Sequence, residues 1–423
     1  MQEDFLHYIW KYKKFQFNNL KTTQGELIQI NSVGHPNQNS GPDFFNAQIK
    51  INDQLWAGNV EVHIKSSDWF LHNHETDKAY DNVILHVVWE DDTEIFRKDN
   101  TVIPTLELKG LVKNDVLNNY GRLFSKQNKW INCENDFAKV ENFILSNWLE
   151  RLYLERLERK SKEIDQLLLQ SKNDWESVLF KMLVKNFGLN VNGESFLSVA
   201  QSIDFSIIRK VQSHQPTLEA LLFGQAGLLN EDIEATYFLS LKKEYHFLKQ
   251  KFTLKNHGII PLKFFRLRPL NFPTIRLSQI ASLYHKQQGL FSKIIETQAL
   301  DDFYELFNVA TSEYWKNHYT FQKESKPSTK CLTKPFIDLL LINTILPVKF
   351  AYSKQKGGNT ENIIIDISNA IKSEKNSIVS TFNSLKQVSK TALQSQALIQ
   401  LKSQYCNNNK CLQCAVGNTI LNK

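Results

Sequence analysis

The chain has 423 residues, 42% of them hydrophobic, with a formal charge of +7. This length allows two or three domains around a large core, and five cysteines are too few for a disulfide scaffold of this size. The mild basic excess is compatible with nucleic acid but not diagnostic of it.

The acidic start Met1-Gln2-Glu3-Asp4 does not read as a secretory leader. The longest apolar patch, residues 336–346, is broken by Asp338, Asn343 and Thr344 and falls short of a membrane span. A cytoplasmic protein with no membrane association is expected.

Residues 3–15 place Phe5, Leu6, Ile9, Trp10 and Tyr12 at helical spacing. Residues 26–31 read as a short strand and residues 32–42, with two glycines and two prolines, as a loop. Phe45, Ala47, Ile49 and Ile51 then alternate with polar residues, Asn52-Asp53 makes a tight turn, and residues 55–65 return as a second arm. A two-residue turn pairs Ile51 with Gln54 and Phe45 with Val60. Val60, Val62 and Ile64 then share the apolar face with Phe45, Ala47 and Ile49. Glu61, His63 and Lys65 share the opposite face with Phe44 and Asn46. Strict alternation sends Asp43 to the apolar side, so it meets Glu61 only if the backbone departs from regular pleating, here expected at Gly41-Pro42. A short helix over residues 72–81, a buried strand over 82–89 and a strand near 101–108 follow.

From residue 137 the texture changes. Trp148, Leu149, Leu152, Leu154 and Leu157 recur at helical spacing among charged residues, and helical patterns continue at 175–187, 218–229, 233–252, 277–284, 294–307 and 363–371. The glycines of residues 221–229 fit close helix packing. The expected fold is α+β: an α/β domain with a mixed sheet over residues 1–130, then a mainly α-helical region over 137–423 that ends in a cysteine-rich tail.

Three groups of residues point to chemistry. Asp43, Glu61 and a nearby His63 or Lys65 suit a divalent cation, Mg²⁺ or Mn²⁺, and the water it activates. His72, His74 and Asp77 offer a zinc-type set or a contact to a substrate phosphate. Cys406, Cys411 and Cys414 lie within nine residues of a cysteine-poor chain and suit Zn²⁺ or an iron–sulfur cluster. Cys331 is the first candidate for a fourth ligand, with Cys133 or a histidine as alternatives. His86, inside an apolar strand, reads as a hydrogen-bonded core residue. Arg266 and Arg268, beside Phe264 and Phe265, are candidates for phosphate and base contacts, with Arg276 beyond them.

The order helix, strand, strand starting with Pro42-Asp43, strand carrying Glu61, helix, strand resembles the PD-(D/E)XK nuclease superfamily. The resemblance implies that Asp43 and Glu61 bind the metal and that a lysine two residues after the glutamate positions the water. Here His63 stands at that place and Lys65 follows two residues later. Glu3 or Glu26 would supply the additional acid of some members. Over nearly its full length the chain also resembles the family known as domain of unknown function 2851, through Gly41-Pro42-Asp43-Phe44, Gly58-Asn59-Val60-Glu61-Val62-His63, Leu85-His86-Val87-Val88, Arg266-Leu267-Arg268-Pro269 and the terminal cysteines. The first resemblance implies a nuclease acting on DNA or RNA. An inactive nuclease-like binding module and a zinc hydrolase built on His72 and His74 are the rival expectations.

Overall fold

A computed structural model describes residues 1–37, 39–125 and 129–422; Gln38, inside the loop read at 32–42, lies outside them. The chain forms two compact units, one from residues 1–148 and 401–423, the other from 149–400. The fold is α+β: a mixed sheet with helices, followed by a large, mainly helical region.

The first unit opens with α1 (Glu3–Lys11), whose Phe5, Leu6, Ile9 and Trp10 are buried. Its strands are β1 (Ile28–Ser32), β2 (His35–Pro36), β3 (Phe44–Ile51), β4 (Gln54–Lys65), β5 (Val83–Glu90) and β6 (Thr105–Glu107). The sheet order is β1-β3-β4-β5-β6, with β2 beside β3. The β1–β3 and β3–β4 pairs are antiparallel, and the β4–β5 and β5–β6 pairs are parallel. Residues 83–88 of β5 are buried without a break, the pattern of a parallel strand covered on both faces. α1 packs against β4, so the face that carries Glu61 is covered as well.

The hairpin register departs from the expected one at a single place. Ile51 pairs with Gln54 as anticipated, but Val60 pairs with Phe44 instead of Phe45. An extra residue is accommodated between Phe44 and Ala47, where Asn46 adopts φ +56°. This is a β-bulge, and asparagine tolerates the left-handed conformation it needs. Beyond the bulge the facing of β3 is inverted: Phe44 is buried with Ala47, Ile49 and Ile51, while Phe45 is only half-buried. The departure from pleating that brings Asp43 to Glu61 therefore sits at residues 45–46, not at Gly41-Pro42. Regular alternation cannot reveal it, because one inserted residue flips everything that precedes it.

The segment read as a helix over residues 72–81 is instead α2 (Asp68–Leu71), a turn through His72–Asp77, and a 3-10 turn at Lys78–Tyr80. It is followed, after the sheet, by α3 (Asn114–Leu123) and α4 (Glu134–Phe137). The helix Asn142–Gln170 contains the boundary between the units.

The second unit includes the helices Trp175–Phe187, Leu189–Gln201, Gln215–Gln225, Thr236–Lys251 and Pro273–Lys286. A side chain at Gly224 would overlap the ring of Tyr245, so this glycine permits the close approach of two of these helices. Among the described residues, one helix, Lys334–Lys356, is long and apolar enough to cross a membrane, and 78% of its apolar window is buried inside the protein. The expectation that polar residues break this stretch is corrected here. Asp338 accepts from Tyr304, Asn343 from Arg156, and Thr344 from Asn186, so the helix runs through all three.

Candidate metal centre

The bulge sets Asp43 directly across from Glu61. The Asp43 N–H donates to Glu61 Oε2 at 3.1 Å, and the Val62 N–H donates to Asp43 Oδ2 at 3.0 Å. Each carboxylate is thus aimed by the backbone of the neighbouring strand. The other oxygen of Glu61, Oε1, faces histidines: it lies 3.4 Å from His63 Nε2 and 3.4 Å from His74 Nε2.

α1 adds two groups one helical turn apart, which therefore share a face. One ligand atom from each of Glu3, His7 and Asp43 falls within 4.8 Å of the other two. His7 Nε2 stands 3.1 Å from Asp43 Oδ2. A second group meeting the same limit is His63, His72 and His74. Glu61 lies between the groups, touching His63 and His74 on one side and Asp43 on the other.

The two turn histidines are aimed by the end of α2. The Asn73 N–H donates to Phe70 O and the His74 N–H reaches back to Trp69 O, with Asn73 at φ +59°. This is a Schellman ending, with asparagine in the left-handed position. It turns the chain so that His72 Nδ1 comes within 3.1 Å of His63 Nε2 while His74 faces Glu61. Tyr80 stacks on His74 at 3.8 Å between ring centres, and Trp69 meets it edge-on at 5.3 Å. Below, His63 Nδ1 is 2.9 Å from His86 Nε2. That contact locks the ring of His63 and turns Nε2 into the cluster, the arrangement that a second-shell partner gives a metal-binding histidine.

The electrostatics favour a bound cation. Burial, with the charge of Asp43, pushes the Glu61 carboxyl up to about 9. Burial likewise raises Glu3. Burial pulls His7 down, but Asp43, Glu3 and Glu61 outweigh it and raise its pKa. His63 is driven down to about 2 by burial and by the surrounding histidines, and burial takes His86 to about 3. His63 and Glu61 are close enough for an ion pair, yet a neutral imidazole makes none; it is instead a competent ligand. His74 Nε2 and His86 Nδ1 are buried without a hydrogen-bond partner. A buried acid and a buried imidazole nitrogen without a hydrogen-bond partner, 3.4 Å apart, fit a shared metal ion.

The remaining sequence candidates divide sharply. Lys65 is half-exposed and its ammonium pairs with Asp92 at 3.7 Å; among the described residues it makes no ion pair with Asp43 or Glu61. Asp77 accepts from the Ala79 N–H and caps the 3-10 turn, so it does not join His72 and His74. Of the two additional acids, Glu3 is in the cluster, whereas Glu26 accepts from Thr22 in a turn. His35 pairs across to Phe45 at the sheet margin. Arg266 and Arg268 are exposed in the second unit, Arg266 lying 5.3 Å from the Phe265 ring. Arg276 is buried over Phe336 and bonded to Gln279 and Asn271. His7 escaped the sequence reading; its only signal is the four-residue spacing from Glu3.

Among the described residues, no three cysteine sulfurs lie within 4.8 Å of one another, so the cysteines are not gathered as ligands of a single ion. Cys331, expected as fourth ligand, is exposed and bridges to Ala310 in the second unit. Cys133 instead lines one pocket with Cys406, Cys411 and Cys414.

No match to the chain was found among curated proteins or among solved structures. A family model described as a protein of unknown function, DUF2851, matches residues 3–377. With that match covering most of its length, and with Asp43, Glu61, His63 and His86 inside it, the chain belongs to the DUF2851 family.

Proposed function

We propose that the first unit is a metal-dependent phosphodiesterase acting on nucleic acid. The observation that carries this reading is the partly buried cluster in which Asp43 and Glu61 face each other between Glu3 and His7 on one side and His63, His72 and His74 on the other. The strand order, with Asp43 leading into β3 and Glu61 on β4 beside the parallel β5, supports a PD-(D/E)XK-like arrangement of the acids. The charge of +7 supports a polyanionic substrate.

The donor set modifies the expected metal. Mg²⁺ prefers oxygen ligands, whereas imidazoles favour Zn²⁺, Mn²⁺ or Fe²⁺. In this reading His63, His72, His74 and Glu61 hold one cation. Glu3, His7 and Asp43 form an adjoining set for a second. The cations would supply Lewis-acid polarisation of the phosphoryl group and a more acidic bound water. The protein's own part is orientation: backbone N–H groups fix both carboxylates, His86 fixes His63, and the Schellman turn fixes His72 and His74. His72, the exposed member, borders solvent and would meet the substrate phosphate. Lys65 has no part in this reading.

The test is metal content by mass spectrometry together with cleavage of single- and double-stranded DNA and RNA in Zn²⁺ or Mn²⁺. Cleavage that disappears in Asp43→Asn and His74→Ala, with the fold retained by circular dichroism, supports the proposal. Cleavage equal in parent and variants refutes it. Metal bound at the cluster without cleavage favours the second reading, a binding module, whose support is the absence of a lysine among the carboxylates.

A further inference from the structure

We propose that Cys133, Cys406, Cys411 and Cys414 together hold an iron–sulfur cluster that fastens the end of the chain into the first unit. The site is independent of the histidine–carboxylate centre. The two segments that build it, residues 130–137 and 401–417, belong to one unit although the whole second unit lies between them in sequence.

The four cysteines surround one pocket, walled also by Phe137, Leu401 and Val416. The cavity they enclose is small, about 20 Å³. All four are free thiols. Their spacing selects the occupant. A single tetrahedral zinc with Zn–S bonds of about 2.3 Å would hold its sulfurs about 3.8 Å apart. No three of these sulfurs come within 4.8 Å of one another. Four cysteines around one pocket with their sulfurs held further apart suit a polynuclear cluster, in which separate irons take separate cysteines.

The surroundings are built for cluster sulfurs. Asn132 Nδ2 donates to Cys411 Sγ at 3.4 Å. Such a bond stabilises a thiolate ligand and tunes its cluster. A side chain at Gly417 would collide with the Cys411 carbonyl, so the glycine lets the Cys411 turn close against the terminal helix Ala415–Leu421. Lys402 to Trp130 O (2.9 Å) and Asn132 to Asn409 Oδ1 (3.1 Å) tie the segments beside the pocket.

The full-length protein, purified without oxygen and reconstituted with ferrous iron and sulfide, tests the assignment. Iron and acid-labile sulfide are expected in equal amounts, about two or four of each per chain, with a brown colour and broad visible absorption. Cys133→Ser and Cys414→Ser should each lower bound iron at least about tenfold, while Cys331→Ser retains it. Because a serine variant of a buried cysteine can misfold, a second measurement uses the unaltered chain: removing iron with a chelator and oxidant should bleach the colour and lower Tm. One zinc per chain without sulfide, no iron after reconstitution, or full iron in Cys133→Ser would each overturn the proposal.

Discussion

Both units bury charged and polar side chains, but they treat them differently. In the second unit several buried charges are saturated, although Arg276 Nε, both amide atoms of Gln225 and the hydroxyls of Tyr245 and Tyr284 find no partner. Lys349 donates all three ammonium hydrogens, to the carbonyls of Ile294, Ile295 and Thr297 at 3.0, 2.7 and 2.9 Å. Lys330 donates to the carbonyls of Trp315 and Lys316 and lies 4.3 Å from the Tyr319 ring. Glu219 accepts from Ser278 at 2.5 Å and from Tyr237 at 2.6 Å. In the first unit the buried groups are left short: His74 Nε2 and His86 Nδ1 have no hydrogen-bond partner, and Glu61 faces another carboxylate. Burial alone therefore does not mark a site. A polar group whose capacity is filled by its neighbours specifies packing; an unsatisfied one marks a candidate site only where, as around Glu61, several metal-ligating atoms converge.

The largest expected effect breaks the unsatisfied side of this contrast. Glu61→Gln keeps size but removes the charge between the two groups, so affinity for Zn²⁺ or Mn²⁺ should fall more than about 100-fold, beyond what losing an outer-shell partner brings. Isothermal titration measures it; unchanged affinity would place the metal elsewhere. On the saturated side, Lys349→Met orphans three carbonyls and should destabilise the fold by about 3 kcal/mol without touching metal affinity. Denaturant unfolding reads the first, and an accompanying loss of metal would erase the distinction between the units.

His86→Leu removes the partner of His63 Nδ1 and should cost about 10- to 100-fold in metal affinity, with a smaller change in stability. Asn46→Ala sharpens the role of the bulge. A left-handed alanine costs about 1–2 kcal/mol, and Asn46→Gly should restore that loss. If both variants behave alike, φ at residue 46 is not what holds Asp43 opposite Glu61. The smallest effect is expected at Lys65→Ala, which breaks an exposed pair with Asp92 worth less than about 1 kcal/mol and should leave metal affinity within error. A large loss of activity there would return the lysine to the centre of the chemistry.

Much of this was legible from residue order. Period-two patterning located the β3–β4 hairpin, with Asn52-Asp53 as its turn, and it placed Glu61 and His63 on one strand face, because strand side chains alternate whatever they pack against. The apolar run around His86 marked a buried strand, and helical spacing marked the mainly helical region, whose expected last residues, 401–423, fold with the first unit instead. What stayed hidden depended on contacts distant in sequence. The bulge at Asn46 inverted the facing of β3, and no local pattern announces an inserted residue. The motif around His72 pointed to Asp77, whereas the partners are His63 and Glu61, since the Schellman turn at Asn73 aims both histidines back at β4. His7 joined only because α1 lies on that strand. Cys133, not Cys331, met the terminal cysteines because the last residues return to the first unit. Sequence by itself determined which residues able to hold a metal the chain carries and which strand face bears Glu61 and His63, since composition and periodicity are local. Tertiary structure alone decided which of those residues meet, because that depends on register, turn handedness and the return of a chain end, each set by the packing of the whole unit.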